Sequence, residues 1–231
     1  QTIVHVKERT SDVEAFILTV AGKLSLCGMN NYGVGVCCNT MHQLDHDPRG
    51  LPEDFIVRMI LTKKSVDEVI AFMQSIPHAS GQNYIVGDPD RIVYIECGKH
   101  KVVVGETTLP EGQMVHTNHP LLNDDTAIYD WALASLRKRD PDLVEHMKAR
   151  ATSLPRFNFM PEEALERGAL SEHDIVEMLQ DHITPICLHA KEGNYTVSLV
   201  IFSLFHGVGN PVFKATAGPG CSHEFEECRF E

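Results

Sequence analysis

No stretch of these 231 residues stays apolar for the roughly 18 positions that a membrane-crossing helix needs. Basic charge is scarce as well: 20 Lys and Arg face 32 Asp and Glu, for a net charge of −12. The densest basic spot, LRKRD at 136–140, ends on an acid. A nucleic-acid partner is therefore excluded, because neutralising phosphates takes a basic stripe. Paired cysteines are missing too. Seven Cys is an odd number, and none stands in a C-x-x-C spacing. A disulfide scaffold would want an even set in a shorter chain, so free thiols in a reducing compartment are expected. The opening residues QTIVHVKERT resemble no signal or transit peptide, which together with the thiols points to the cytoplasm. The short chemical signatures are absent in turn. GVGV at 33–36 is not G-x-G-x-x-G, and neither a G-x-x-x-x-G-K-[ST] loop nor a G-x-S-x-G elbow occurs.

What is present is enough apolar sequence, 43% of the chain, for a sizeable core, and residues 1–231 are expected to form a single domain. Period-two patterns predict strands at 2–8, 14–22, 23–30 and 33–40. Helices are predicted at 51–63 and 65–76, the second opened by Ser65 with Glu68 three residues on, as in a capping box. A meander of three strands follows over 82–104, and another strand is expected within 112–122, ending in a polar knot. The segment from 125 to about 150 reads as helical, broken at Pro141, and 171–182 as a helix capped by Ser171 with Asp174. Strands return at 196–204, 211–218 and 223–231. Blocks of strands alternating with blocks of helices indicate an α+β fold with helices on the faces of antiparallel sheets.

Several constellations carry chemistry. His42 and His46 stand four apart, but no Glu follows His42, and Pro48 and Gly50 weaken a helix there. Cys187 with His189, and Cys221 with His223, form C-x-H pairs that lack a partner pair at finger spacing, so no metal site is expected. Cys37 and Cys38 lie on a predicted strand where alternate residues face the core, which suits packing better than a reactive thiol. Asn30 in a turn and Asn118 at a strand end are amides of the kind that stabilise an oxyanion, although each alone is better explained as a turn residue. Arg156, alone, reads as a surface charge.

Taken together, GMNNYGVGV (28–36), HTNHPLL (116–122) and SLPRFNF (153–159) resemble, in order and spacing, the acyl-coenzyme A:6-aminopenicillanic acid acyltransferases. They also resemble the related choloylglycine and penicillin V hydrolases, and the closing ICLH, TVSLVIFSL and FKATAGPGCSHEFEECRF are similar to that family's last strands. The resemblance implies the N-terminal-nucleophile hydrolase fold, a four-layer αββα sandwich of antiparallel sheets. It further implies an amide-bond hydrolase or acyltransferase in which autoproteolysis exposes a Cys whose own α-amine, of reference pKa near 8, serves as base. Carried over by residue, Asn118 matches the family's oxyanion asparagine, Asn30 a second donor, and Arg156, beside Ser153, the arginine that organises the site's charges. No cofactor is implied. The substrate would be a small acyl-amide or thioester; no membrane partner is expected, while a second copy of the chain is left open.

The chain departs from the pattern at its start, where Gln1 stands and not Cys. The nucleophile is expected upstream, on a segment either continuous with this chain or separate from it. A binding module that keeps the fold without the chemistry, and a hydrolase using Cys37 or Cys38, are the alternatives.

Overall fold

The computed structural model describes residues 1–106, 109, 112–149, 151–189, 195–205 and 211–230. Its centre is a seven-stranded antiparallel meander. The strands β1 (Thr2–Lys7), β2 (Glu14–Thr19), β3 (Cys27–Asn30), β4 (Gly35–Thr40), β5 (Gln82–Gly87), β6 (Ile92–Cys97) and β7 (Val102–Gly105) lie side by side in chain order. Each is joined to its neighbour by a short connection, except that β4 reaches β5 through two helices, α1 (Glu53–Ile60) and α2 (Val66–Ser75).

These helices cover one face of the sheet. Ile56, Val57 and Ile60 of α1 and Val66, Val69 and Met73 of α2 bury their apolar stripes against Ile17, Val36, Tyr84, Val86 and Ile95. Gly28 marks how closely α1 approaches: a Cβ there would stand 2.5 Å from the Phe16 carbonyl oxygen and 2.9 Å from Leu61 Cδ1. The Ser65 hydroxyl accepts from the Glu68 N–H, as the capping pattern predicts, while the Glu68 carboxylate reaches past Ser65 to the Lys64 N–H.

The opposite face packs on a second sheet of three antiparallel strands, β8 (Val200–Ser203), β9 (Val212–Thr216) and β10 (Phe225–Arg229), ordered β10-β9-β8. Phe16, Leu18, Cys27 and Met29 meet Phe213, Ala215 and Phe230 in this second core. Because side chains alternate along a strand, Lys214 points away from that core. It pairs there with Glu172 at 2.8 Å, on the helix α6 (Glu172–Leu179). The Gln180 amide likewise donates to the Gly220 carbonyl at 2.9 Å. The layers therefore run α1–α2, large sheet, small sheet, α6, which is the αββα sandwich expected.

The middle of the chain supplies three further helices, α3 (Ala127–Arg139), α4 (Pro141–Ala149) and α5 (Ser153–Arg167). Pro141 opens α4, where its missing N–H has no role. The Asp45 carboxylate, reaching from the loop after β4, accepts the Ile128 N–H at the start of α3. One expectation fails here, and one helix was not expected. No strand forms within 112–122, because its backbone donors are taken by side chains: Ser153 binds the Asn118 N–H, and Glu96 binds those of Leu121, Leu122 and Asn123. And α5 was hidden by Pro155 and Pro161. The first of these sits in the opening turn, where N–H groups lack partners in any case, and only the second forfeits a helical hydrogen bond. Positions 150 and 231 of the predicted elements lie outside the described residues. Among the described residues, no helix is long and apolar enough to cross a membrane.

Candidate active site

A polar row crosses three adjacent strands of the large sheet. Asn39 on β4 faces Asn83 on β5, which faces Glu96 on β6. Asn39 lies two residues beyond Cys37, which packs into the core between the sheets, so the row belongs to that inner face. Asn83 Nδ2 donates to Asn39 Oδ1 at 3.3 Å, while the buried Asn83 Oδ1 has no hydrogen-bond partner among the described residues.

Glu96 anchors the irregular segment 116–123. Its fully buried carboxylate accepts from the backbone N–H groups of Leu121 (2.6 Å), Leu122 (3.0 Å) and Asn123 (2.6 Å), and it meets His116 Nε2 at 2.8 Å. Burial alone would raise its pKa. The His116 contact and the three backbone donors outweigh it and hold the carboxyl below its usual range. The Asn123 side chain closes the knot by donating to the Glu96 and Lys101 carbonyls. A segment with no secondary structure of its own is thereby tied to β6 of the large sheet.

That segment presents Asn118. Its backbone N–H donates to Ser153 Oγ at 2.8 Å, and Ser153 Oγ also meets Thr117 Oγ1 at 3.0 Å and His119 Nδ1 at 2.8 Å. Ser153 is the first residue of α5, so the helix and the segment are joined at one hydroxyl. One turn on, Arg156 Nη2 donates to Asn118 Oδ1 at 2.8 Å. Asn118 Nδ2 donates to the Thr40 carbonyl at 3.1 Å. The carboxamide is thus held at both ends, with its oxygen against a cation and one amide proton uncommitted among the described residues. Burial lowers the pKa of Arg156, whose charge stays in place nonetheless, since a guanidinium titrates far above neutrality. Burial, then the neighbouring His116, lowers the pKa of His119, which keeps that ring neutral at pH 7.

Two of the three expected site residues, Asn118 and Arg156, are therefore in direct contact, and Ser153 is with them. Asn30 is elsewhere. It is fully buried where β3 turns towards β4, at the end of β4 opposite Thr40, roughly 16 Å away along the strand. Its Nδ2 donates to the Leu61 and Lys63 carbonyls at 3.1 and 2.7 Å, and its Oδ1 accepts from the Tyr32 and Val34 N–H groups. Both amide protons are spent on capping the end of α1, which leaves none for an oxyanion. The asparagine that does share the Thr40 end of β4 is Asn39, which motif reading passed over. The available signal was its place in the same GVCCNT strand.

The cysteines divide similarly. Cys38 sits under α1 with its thiol on Glu53 and the Leu26 carbonyl, and burial followed by the Glu53 carboxylate pushes its pKa far up. Burial does the same to Cys97. A metal site was not expected from spacing, yet the fold brings His182, Cys187, His189 and Cys221 together, with their ligand atoms within 4.8 Å of one another. Sequence spacing could not reveal it, because the loop after α6 and the turn after β9 meet only in three dimensions.

Beyond the Asn118 knot lies apolar surface. Met114 and Val115 line both a small cleft with Tyr94, Leu121 and Phe157 and a larger one of about 410 Å³ with Met160, Ala164 and Met178. The two clefts share Met114 and Val115, on the segment that leads into Asn118.

Residues 16–208 match the model of the acyl-coenzyme A:6-aminopenicillanic acid acyl-transferase family. Over 110 residues the chain is 32% identical to the acyl-coenzyme A:6-aminopenicillanic-acid-acyltransferase 40 kDa form of Emericella nidulans. That stretch is 46% of this chain but only 30% of the relative's length. The structure is similar to a mutant conjugated bile acid hydrolase from Clostridium perfringens (TM-score 0.54, 13% identity, 95% of this chain and 81% of the other). It is also similar to a penicillin V acylase from Agrobacterium tumefaciens (TM-score 0.50, 12% identity, 95% and 70%). At such identities these likenesses establish the fold alone, while the family match spans most of the chain. The chain belongs to the acyl-coenzyme A:6-aminopenicillanic acid acyl-transferase family and has the fold of the N-terminal-nucleophile hydrolases.

Proposed function

We propose that this chain forms the body of an amide-bond hydrolase or acyltransferase, and that the Asn118–Arg156 knot is its oxyanion-stabilising wall. The observation that carries the reading is the carboxamide of Asn118, fixed by Arg156 at its oxygen and by Thr40 at one amide proton. A donor held this way needs no reorganisation when a carbonyl oxygen gains charge. Arg156 polarises the amide further, making its remaining N–H a stronger donor. Asn39, whose oxygen is engaged by Asn83, takes the second-donor role first assigned to Asn30.

The nucleophile of this proposal is the thiolate of an N-terminal Cys exposed by autoproteolysis, with its α-amine as base. Family membership supports it, and so does the state of Cys38 and Cys97, whose thiols burial keeps protonated. The thiolate adds to the carbonyl of an acyl-amide or thioester, and the tetrahedral oxyanion faces Asn118. The amine or thiol then leaves with a proton, and water or a second amine releases the acyl group. The apolar clefts lined by Met114 and Val115 suit the acyl part of the substrate.

The test is turnover by the full-length protein of acyl-amides and acyl-thioesters of graded chain length. The reading predicts release of amine or thiol that collapses in Asn118→Ala while the fold is kept. A folded full-length protein that turns over neither class would leave the binding-module alternative standing.

A further inference from the structure

A second cluster of reactive side chains lies away from Asn118, where the loop after α6 meets the turn after β9. His182 and His189 stack with ring centroids 5.2 Å apart and planes inclined by 12°, bringing their Nε2 atoms to 3.0 Å. His189 Nε2 is 3.1 Å from Cys221 Sγ, and Cys221 Sγ is 3.5 Å from Cys187 Sγ. Cys187 is buried, and the other three are exposed.

Hydrogen bonds explain this grouping poorly. A neutral imidazole carries one N–H, yet His189 Nε2 faces both a ring nitrogen and a sulfur. A proton there serves one contact and leaves the other unpaired. Two imidazoles and two thiols are instead the donor set of a closed zinc site. With Zn–N of about 2.0–2.1 Å and Zn–S of about 2.3 Å, tetrahedral ligands stand roughly 3.3 to 3.8 Å apart. The three contacts just given are shorter than this by a few tenths of an ångström, and all four ligand atoms lie within 4.8 Å of one another, so small side-chain shifts would bring them round one cation. The backbone is already arranged to hold them. The Cys187 N–H donates to the Asp181 carbonyl at 2.9 Å, and the Gln180 amide ties α6 to Gly220, beside Cys221.

We propose that His182, Cys187, His189 and Cys221 bind one Zn²⁺ as a structural centre that staples the loop after α6 to the turn between β9 and β10. All four positions are filled by protein, so the site has no place for substrate and serves stability. Binding converts two thiols to thiolates and releases two protons to solvent, leaving a centre of zero net charge. This proposal is independent of the chemistry assigned to Asn118.

The test uses the full-length protein, purified with reductant and without added metal, then assayed for metal content and titrated with Co²⁺. The expected result is one equivalent of bound metal per chain, with thiolate-to-cobalt charge transfer and the visible bands of tetrahedral Co²⁺. Cys221→Ser and His182→Ala should each weaken binding beyond the ~10–100-fold typical of losing an outer-shell partner. His223→Ala should not, because that ring sits against Ser222 and the Pro219 carbonyl. Should either ligand variant fail to fold, the wild-type Co²⁺ spectrum decides. Wild-type protein with no stoichiometric metal and no such spectrum overturns the proposal. So does a Cys187–Cys221 disulfide, seen as a mass two hydrogen atoms light and located by peptide mapping under non-reducing conditions.

Discussion

The two ends of β4 carry asparagines with opposite occupations. Asn30, at the β3–β4 turn, is buried and makes four hydrogen bonds that use its whole donor capacity. Asn118, against Thr40 at the far end, is partly exposed, fixed at its oxygen and at one proton, and keeps one N–H uncommitted among the described residues. Saturation makes an asparagine a structural part; rigid incompleteness makes it a candidate catalyst. The same contrast separates the backbones that carry them. Asn30 ends a strand inside a ladder, whereas Asn118 rides on a ladder-free segment whose N–H groups are gathered by Glu96.

The comparison breaks most sharply at Glu96. Glu96→Ala leaves three backbone N–H groups and the buried His116 without their acceptor, and a loss of about 3–5 kcal/mol in chemical denaturation is expected. Glu96→Gln tests the charge. The folded carboxyl titrates lower than the roughly 4.3 of an unfolded Glu, so its stabilisation is complete above that value. It disappears as pH falls through the folded pKa, and wild-type stability should drop with acid more steeply than that of Glu96→Gln.

Asn118→Ala and Asn30→Ala sharpen the contrast directly. The first should reduce kcat by ~10²–10³, about 3–4 kcal/mol, with little change in Tm. The second should lower stability by about 2–3 kcal/mol, since the Leu61 and Lys63 carbonyls and two turn N–H groups lose a buried partner. Activity per folded molecule should survive it. The reverse pattern, with Asn118→Ala unstable and Asn30→Ala inactive but folded, would exchange their roles.

Arg156→Lys is a smaller perturbation. Lysine keeps the charge but lacks the fork that now reaches the Thr152 carbonyl through Nε and Asn118 through Nη2. A fall in kcat of about tenfold is expected, near 1.4 kcal/mol, with KM little changed. Smallest of all should be Cys38→Ser, whose thiol faces Glu53 under α1, away from the inner face. Its turnover should match wild type, and loss of activity there would revive the internal-Cys alternative.

Apolar strand patterns between turn signals made the large sheet legible, from the half-exposed edge strand β1 to the deeply buried β2 and β6. The αββα order followed from the block pattern and from the resemblance together. The irregular 116–123 segment was not legible: its hydrophobic residues mimic a strand, and only Glu96, twenty residues earlier, diverts the N–H groups that a strand would pair. The motifs that singled out Asn118 and Arg156 are brought into contact by the fold. Asn30 stands apart from them, because its amide protons serve the end of α1, a partner some thirty residues on that its motif does not reveal. The His–Cys cluster escaped because its members come from segments some thirty residues apart.

In the proposed reaction an acyl group passes the Asn118 wall on a thiol outside the buried set. Full-length protein incubated with an activated acyl donor, quenched, and resolved by intact mass and peptide mapping tests it most directly. The account predicts a single acyl adduct on an N-terminal Cys, its accumulation strongly slowed in Asn118→Ala and normal in Asn30→Ala. An adduct on Cys37 or Cys38, or equal labelling of wild type and Asn118→Ala, would contradict it.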